Sequence, residues 1–270
     1  MRPRTARAAR LLASAAVVAV LALSAAGCKT TGDDITGSIA AGNSPRSDTE
    51  WRRSLEIWGA RYRENPNDAD VAMGYARALR ATDQRAQAVA VLEQATIRNP
   101  HNMPLLGAYG RALAEAGDYN QALDVLSRAH TPDNPDWRIL NAQGAVLDQL
   151  GRHAEAQGHY SAALKIVPND SSVLSNLGLS YALTKDLKRA EATLRQAVAR
   201  PDAAPKARQN LALVVGLQGR FVEAEKIASA DLPPDEAAAN VTYLRQMLAQ
   251  RGDWPKKSGR QFVPSPDAGT

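Results

Sequence analysis

Cys28 is the only cysteine among 270 residues. One thiol can form neither an intramolecular disulfide nor a cysteine-cluster metal site, so any chemistry it performs needs a group from outside the chain. The other side chains able to bind metal or move protons are scattered. His101 and His130 fall in turns, and His153 and His159 are six residues apart, whereas paired ligands on one helix face sit four apart. The expected state of all four is solvated imidazole. The acid pairs Asp33-Asp34, Asp133/Asp136 and Asp235-Glu236 fall in linkers or at helix starts, where carboxylates cap backbone N–H groups and offset the helix dipole. No glycine-rich phosphate loop, nucleophile elbow or histidine zinc motif occurs. These residues give no support to an enzyme, and they imply no metal and no cofactor.

The setting of Cys28 says more than the thiol itself. Residues 1–10 carry Arg2, Arg4, Arg7 and Arg10 and no acid, and Leu11 to Ala26 is an apolar run. Small residues then close it, Ser24-Ala25-Ala26-Gly27, directly before the cysteine. A basic head, a short apolar stretch and a small-residue exit describe an export signal over residues 1–27. The run of 16 residues is shorter than the roughly 20 a bilayer span needs. Ala25-Ala26-Gly27-Cys28 resembles a bacterial lipobox, with Ala25 where an aliphatic residue is usual. That resemblance implies that the chain is cut before Cys28 and its thiol acylated, palmitate being one such chain. Simple secretion with an incidental cysteine is the alternative.

The signal also explains the charge. The whole chain is basic, with a net charge of +5 and a pI near 9.4, which would suit an anionic partner. Removing the four arginines of residues 1–27 from 33 basic side chains leaves 29 against 28 acidic, a net of +1. Nucleic acid is therefore not expected as a partner. Aromatic residues are only 5% of the chain, so its core must be built from Ala, Leu and Val, as in close-packed helices.

Those small residues recur every 34 positions. With units starting at 69, 103, 137, 171 and 205, the twentieth position is Ala88, Ala122, Ala156, Ala190 and Ala224. The eighth is Ala76, Gly110, Gly144, Gly178 and Ala212, and the twenty-seventh is Ala95, Ala129, Ala163, Ala197 and Asp231. The eleventh and twenty-fourth are mostly Leu or Tyr. Such columns predict two antiparallel helices per unit, touching through the small residues and stacking on neighbours to share one core. Turns fall in mid-unit, at Thr82-Asp83, Gly117-Asp118, Leu150-Gly151, Lys185-Asp186 and Gly219-Arg220, with Asp118 and Gln121 placed as a capping pair. Pro66, Pro100 and Pro168 mark the joints between units.

The expected organisation is a signal at 1–27, a polar linker at 28–46 and a repeat domain at 47–251, followed by a disordered tail at 252–270. Within the repeat domain lie a half-repeat (47–68), repeats at 69–102, 103–136, 137–170, 171–204 and 205–231, and a capping helix (235–251). Ser47 and Glu50 form a capping box ahead of Leu55, Trp58 and Tyr62, which share one helix face. Val241, Leu244 and Leu248 seal the far end, and the fifth unit re-routes at Leu232-Pro233-Pro234.

The period, the small columns and the proline marks resemble the tetratricopeptide repeat (TPR). The resemblance implies an all-α, right-handed superhelical solenoid. Its concave groove is lined by the second, fifth, ninth and twelfth positions of each first helix. Carried over, the groove residues are Met73, Arg77, Arg80, Arg111, Arg138, Asn141, Lys206 and Gln209, with Asn176 and Asn210 beside them. They imply a protein or extended-peptide partner. The Lys/Arg-and-Asn pattern that clamps a C-terminal carboxylate is absent from the first repeat, which has Met73 and Arg77 there.

The layout of lipobox, short polar linker, half-repeat and about five repeats is similar to that of the TPR lipoproteins of tight-adherence (Flp-type) pilus assembly, the TadD family. This implies a pilotin-like adaptor for the outer-membrane secretin or another pilus component. Lys29 after the cysteine implies the inner leaflet of the outer membrane, with the repeats in the periplasm. A scaffold that recruits cell-wall enzymes or regulates a catalytic partner is the alternative.

Overall fold

The computed structural model describes residues 47–200 and 203–250; the stretches expected to be an export signal (1–27), a linker with Cys28 (28–46) and a tail (252–270) lie outside the described residues. Twelve helices follow one another there: α1 Asp48–Glu64, α2 Ala69–Ala81, α3 Arg85–Arg98, α4 Met103–Ala116, α5 Tyr119–Ser127 and α6 Trp137–Gln149. They continue as α7 His153–Ile166, α8 Ser171–Leu183, α9 Leu187–Val198, α10 Pro205–Leu217, α11 Phe221–Ala228 and α12 Pro234–Gln250. No strand occurs among the described residues, only an isolated bridge between Thr131 and Asn134.

Each helix packs on its chain neighbours. In addition α2, α4, α6, α8, α10 and α12 each touch the next in that series, whereas α3, α5, α7, α9 and α11 do not touch one another. The first helices of the hairpins thus form a close inner layer and the second helices a splayed outer one. A stack spaced more tightly on one side curves toward that side, so the inner layer is the concave face.

The repeat columns account for the contacts. All five alanines at the twentieth position are fully buried. A Cβ added to Gly110, Gly144 or Gly178 would lie 2.5–2.6 Å from Leu126, Tyr160 or Leu194, respectively, the twenty-fourth residue of the same unit. Glycine at the eighth position therefore makes room for the large side chain that crosses from the second helix. At the mid-unit turn the backbone enters the left-handed region at Asp83, Gly117, Gly151, Lys185 and Gly219, the fifteenth residue in every case. The next N–H reaches back to the eleventh residue's carbonyl, as in Arg152 N to Leu147 O at 2.8 Å, which closes the helix end.

The joints between units are capped by side chains. Asp68, Asn102, Asp136 and Asp170 accept from backbone N–H groups of the helices they precede. The capping box of Ser47 and Glu50 forms at the start of α1. Asp118, by contrast, makes no side-chain cap bond, and Gln121 instead donates to the Tyr109 hydroxyl at 3.1 Å. A glutamine that can reach a phenol on the neighbouring helix has no reason to turn back on its own N-terminus.

Both ends of the stack are covered. Trp58 of α1 lies over Gly74, and Tyr62 stacks on Tyr75 with ring centroids 5.4 Å apart. At the far end Leu244 of α12 fills the space over Gly216, Val241 is buried, and the Arg245 guanidinium lies 4.7 Å from the Phe221 ring centroid.

Candidate functional site

The inner helices bring the ten groove residues onto one layer but leave few of them unengaged. Arg80 donates from Nε to Glu115 Oε2 at 2.6 Å and pairs through its second nitrogen with Oε1, both side chains being about 85% buried. This bidentate pair ties the first repeat to the second. The asparagines act likewise two and three repeats further on. Asn176 Nδ2 donates to Asn141 Oδ1 at 3.0 Å, and Asn210 Nδ2 donates to Ser175 Oγ at 2.9 Å. All three links span 35 residues, one repeat plus one position. A side chain in one unit therefore meets the neighbouring unit's side chain just off the column. Arg80, Asn141, Asn176 and Asn210 hold neighbouring repeats together.

The remaining groove residues are placed differently. Met73 packs against the core. Arg77, Lys206 and Gln209 face the solvent or its edge. Arg138 lays its guanidinium over Trp137, 4.5 Å from the ring centroid. Arg111 lines a shallow cleft of about 30 Å³ together with Glu115, Tyr119 and Gln149.

A second polar centre lies deeper, between repeats three and four. Asp148 is buried, with His153 Nδ1 and Ser180 Oγ each 2.8 Å from Oδ1, while Tyr160 donates to Oδ2 at 3.1 Å. Burial pushes the Asp148 carboxyl above its ordinary range, against the hydrogen bonds of His153, Ser180 and Tyr160, which favour the ionised form. Burial and the neighbouring carboxylate push the Tyr160 phenol well above 10. The expectation of four solvated histidines is corrected here: His153 is an ordered partner of Asp148. His159 is half-buried, and burial together with nearby His130 lowers its pKa.

This centre has a sequence signal. The tenth position of the units is Ala78, Ala112, Val146, Ser180 and Val214, so Ser180 is the polar exception in a buried apolar column. Its partner Asp148 stands in the unit before. The fifth unit repeats the logic. Arg208 replaces the apolar fourth residue, Asp231 replaces the last alanine, and the two form a bidentate pair at 2.6 and 2.7 Å. In both cases a polar departure from one column is matched by another that it touches.

No cluster of three metal-ligating side chains occurs among the described residues, and no described helix is long and apolar enough to cross a membrane.

Comparison with known proteins agrees with this architecture. Residues 83–144 and 141–208 match two models of the tetratricopeptide repeat. No curated protein matches the chain. Among solved structures, PilW, described as a widely conserved type IV pilus biogenesis factor, has 15% identity and a TM-score of 0.64, covering 72% of this chain and 91% of its own. A tetratricopeptide repeat protein from Parabacteroides merdae has 12% identity and a TM-score of 0.63, covering 72% and 78%. The Cut9–Hcn1 hetero-tetramer of the APC/C has 15% identity and a TM-score of 0.60, covering 74% of this chain and 41% of that one. The molecule is an all-helical solenoid of tetratricopeptide-type hairpins. Repeats of this type act as protein-interaction scaffolds.

Proposed function

We propose that the mature protein is a non-enzymatic adaptor held in the cell envelope by acyl chains on Cys28. In this reading the repeats face the periplasm from the inner leaflet of the outer membrane. The groove holds a secretin segment or another component of a Flp/Tad-type pilus, in the manner of a pilotin.

The observation that carries the adaptor reading is the inner layer itself. Helices α2, α4, α6, α8 and α10 stand side by side and offer a continuous concave face, a shape suited to an extended polypeptide. The anchor rests on sequence: the basic head, the short apolar run, and the only cysteine placed at the small-residue exit. A single acyl chain binds a membrane marginally and two bind it stably, so a multiply acylated Cys28 makes a durable tether. The 18 residues from Lys29 to Arg46 would let the solenoid range about 23 Å from the lipid on average and about 60 Å when extended. The pilus assignment rests on the chain layout shared with the TadD lipoproteins. PilW, which has this fold, is itself described as a pilus biogenesis factor.

Mass spectrometry of the mature N-terminus tests the anchor. The expected species begins at an acylated Cys28; an uncleaved chain or an unmodified Cys28 contradicts it.

A further inference from the structure

The concave face changes chemistry along its length. The ninth and thirteenth positions of the inner helices read Arg77/Ala81, Arg111/Glu115 and Ala145/Gln149, then Leu179/Leu183 and Leu213/Leu217. The four leucines stand one helical turn apart on α8 and α10, two helices in contact. All four stay partly exposed, whereas every other leucine of α2, α4, α6, α8 and α10 is buried. None of them joins the packed clusters of the core. At the other end of the face, Arg80 is neutralised by Glu115 and Asp148 lies buried beneath its donors. Beyond the Arg80–Glu115 pair, the same half carries the exposed Arg77, and Arg138, whose guanidinium lies over Trp137.

We propose that the groove takes a segment of its partner that is apolar at one end and acidic at the other. The apolar side chains sit on Leu179, Leu183, Leu213 and Leu217, and the carboxylates reach Arg77 and Arg138. This rests on the adaptor reading above and names the chemistry of the segment. A wholly apolar segment would desolvate the arginines without pairing them, and a wholly acidic one would leave the leucines wet. Packed helices lie about 8–10 Å apart, which puts the two regions about 20–25 Å from each other, or about six to eight extended residues. Apolar contact supplies most of the affinity. The charges set the orientation of the segment and make association salt-dependent.

Fluorescence anisotropy with the full mature chain tests this, using labelled peptides that join a three-leucine block to a four-glutamate block through a Gly/Ser spacer. The bipartite peptide with a spacer of about seven residues should bind most tightly. Peptides with a two-residue spacer, with Glu→Lys, or with Leu→Ser should each bind at least about tenfold more weakly. The Leu179→Ser/Leu213→Ser and Arg77→Glu/Arg138→Glu variants should each lose a similar factor, and only the charge variant's loss should shrink at high salt. Leu179 and Leu213 are only partly buried, so the leucine variant should lose some thermal stability yet keep its helical circular dichroism at the assay temperature. Equal binding of the lysine peptide, or full binding by the leucine variant, overturns the proposal. So does binding that appears only after removal of residues 251–270, which would make the protein's own C-terminus the occupant. A dimer broken by Leu213→Ser would assign the patch to a second copy and overturn it too. Crosslinking in the groove separates this inference from the adaptor reading: a captured partner segment lacking either block overturns the inference alone, whereas capture of no protein overturns both.

Discussion

Gly144 and Gly158 are glycines of the same repeat with opposite roles. Gly144 faces the Tyr160 ring, and a methyl group there would sit 2.6 Å from Cε1 of a side chain that has no room to retreat. Gly158 lies exposed within α7 with nothing near the missing Cβ. Gly144→Ala should cost about 1–3 kcal/mol through overpacking. Gly158→Ala should stabilise by about 0.5–1 kcal/mol through helix propensity. Urea unfolding of the two variants against wild type measures both signs. Lys185 presents a backbone contrast, because it occupies the left-handed turn position that glycine fills in three other units. Lys185→Gly should stabilise by about 1 kcal/mol in the same assay, since a side chain in that conformation is strained.

Glu191 links acid to the stability of the C-terminal hairpins. Burial opposes its ionisation, but hydrogen bonds from Arg220, Gln218 and Arg195 outweigh that and hold its carboxyl at about 2. A carboxyl depressed below its unfolded value of 4.5 stabilises the fold above that pH, and the contribution fades as the pH falls toward 2. Wild type should therefore lose more stability than Glu191→Gln between pH 6 and pH 3, measured by urea midpoints at each pH.

At the scale of the element, the fifth hairpin departs most from the repeat, and its departures belong together. Arg208 and Asp231 take the places of an apolar residue and an alanine and bond to each other, with Asp231 largely buried. Removing one partner strands a charge, whereas replacing both by apolar groups can be neutral. Arg208→Leu/Asp231→Ala should unfold within about 1 kcal/mol of wild type. Asp231→Ala alone should lose more, and a double-mutant cycle should show the coupling.

Legibility in the sequence follows the same division. The 34-residue spacing of Ala88, Ala122, Ala156, Ala190 and Ala224 exposes the hairpin stack, because each contact of small residues recurs with the unit. The pairing of Asn176 with Asn141, or of Ser180 with Asp148, is not legible in the columns, since it joins different columns of different units. Column reading lists residues that share a helix position, whereas these bonds depend on which neighbour lies across the interface. The groove residues look like one surface in the sequence for the same reason. The structure divides them: Arg80, Asn141, Asn176 and Asn210 tie repeats together, Met73 packs on the core, and the others lie at or near the surface.

For the whole molecule, the features that matter are curvature, cover at both ends and a face of changing chemistry. α1 and α12 cover the ends, which leaves the sides of the stack for a partner, the concave one continuous across the inner helices. The net positive charge lies largely in residues 1–27, and residues 28–270 carry a net of only +1. Selectivity must therefore come from where charges and leucines lie along the groove. The adaptor account then turns on what that groove holds in the envelope. Crosslinking in intact cells from a probe placed on the concave face, followed by purification from membranes and mass spectrometry, measures it directly. The account predicts recovery of a secretin or another pilus-assembly component; recovery of a cell-wall hydrolase, with no pilus component, would contradict it.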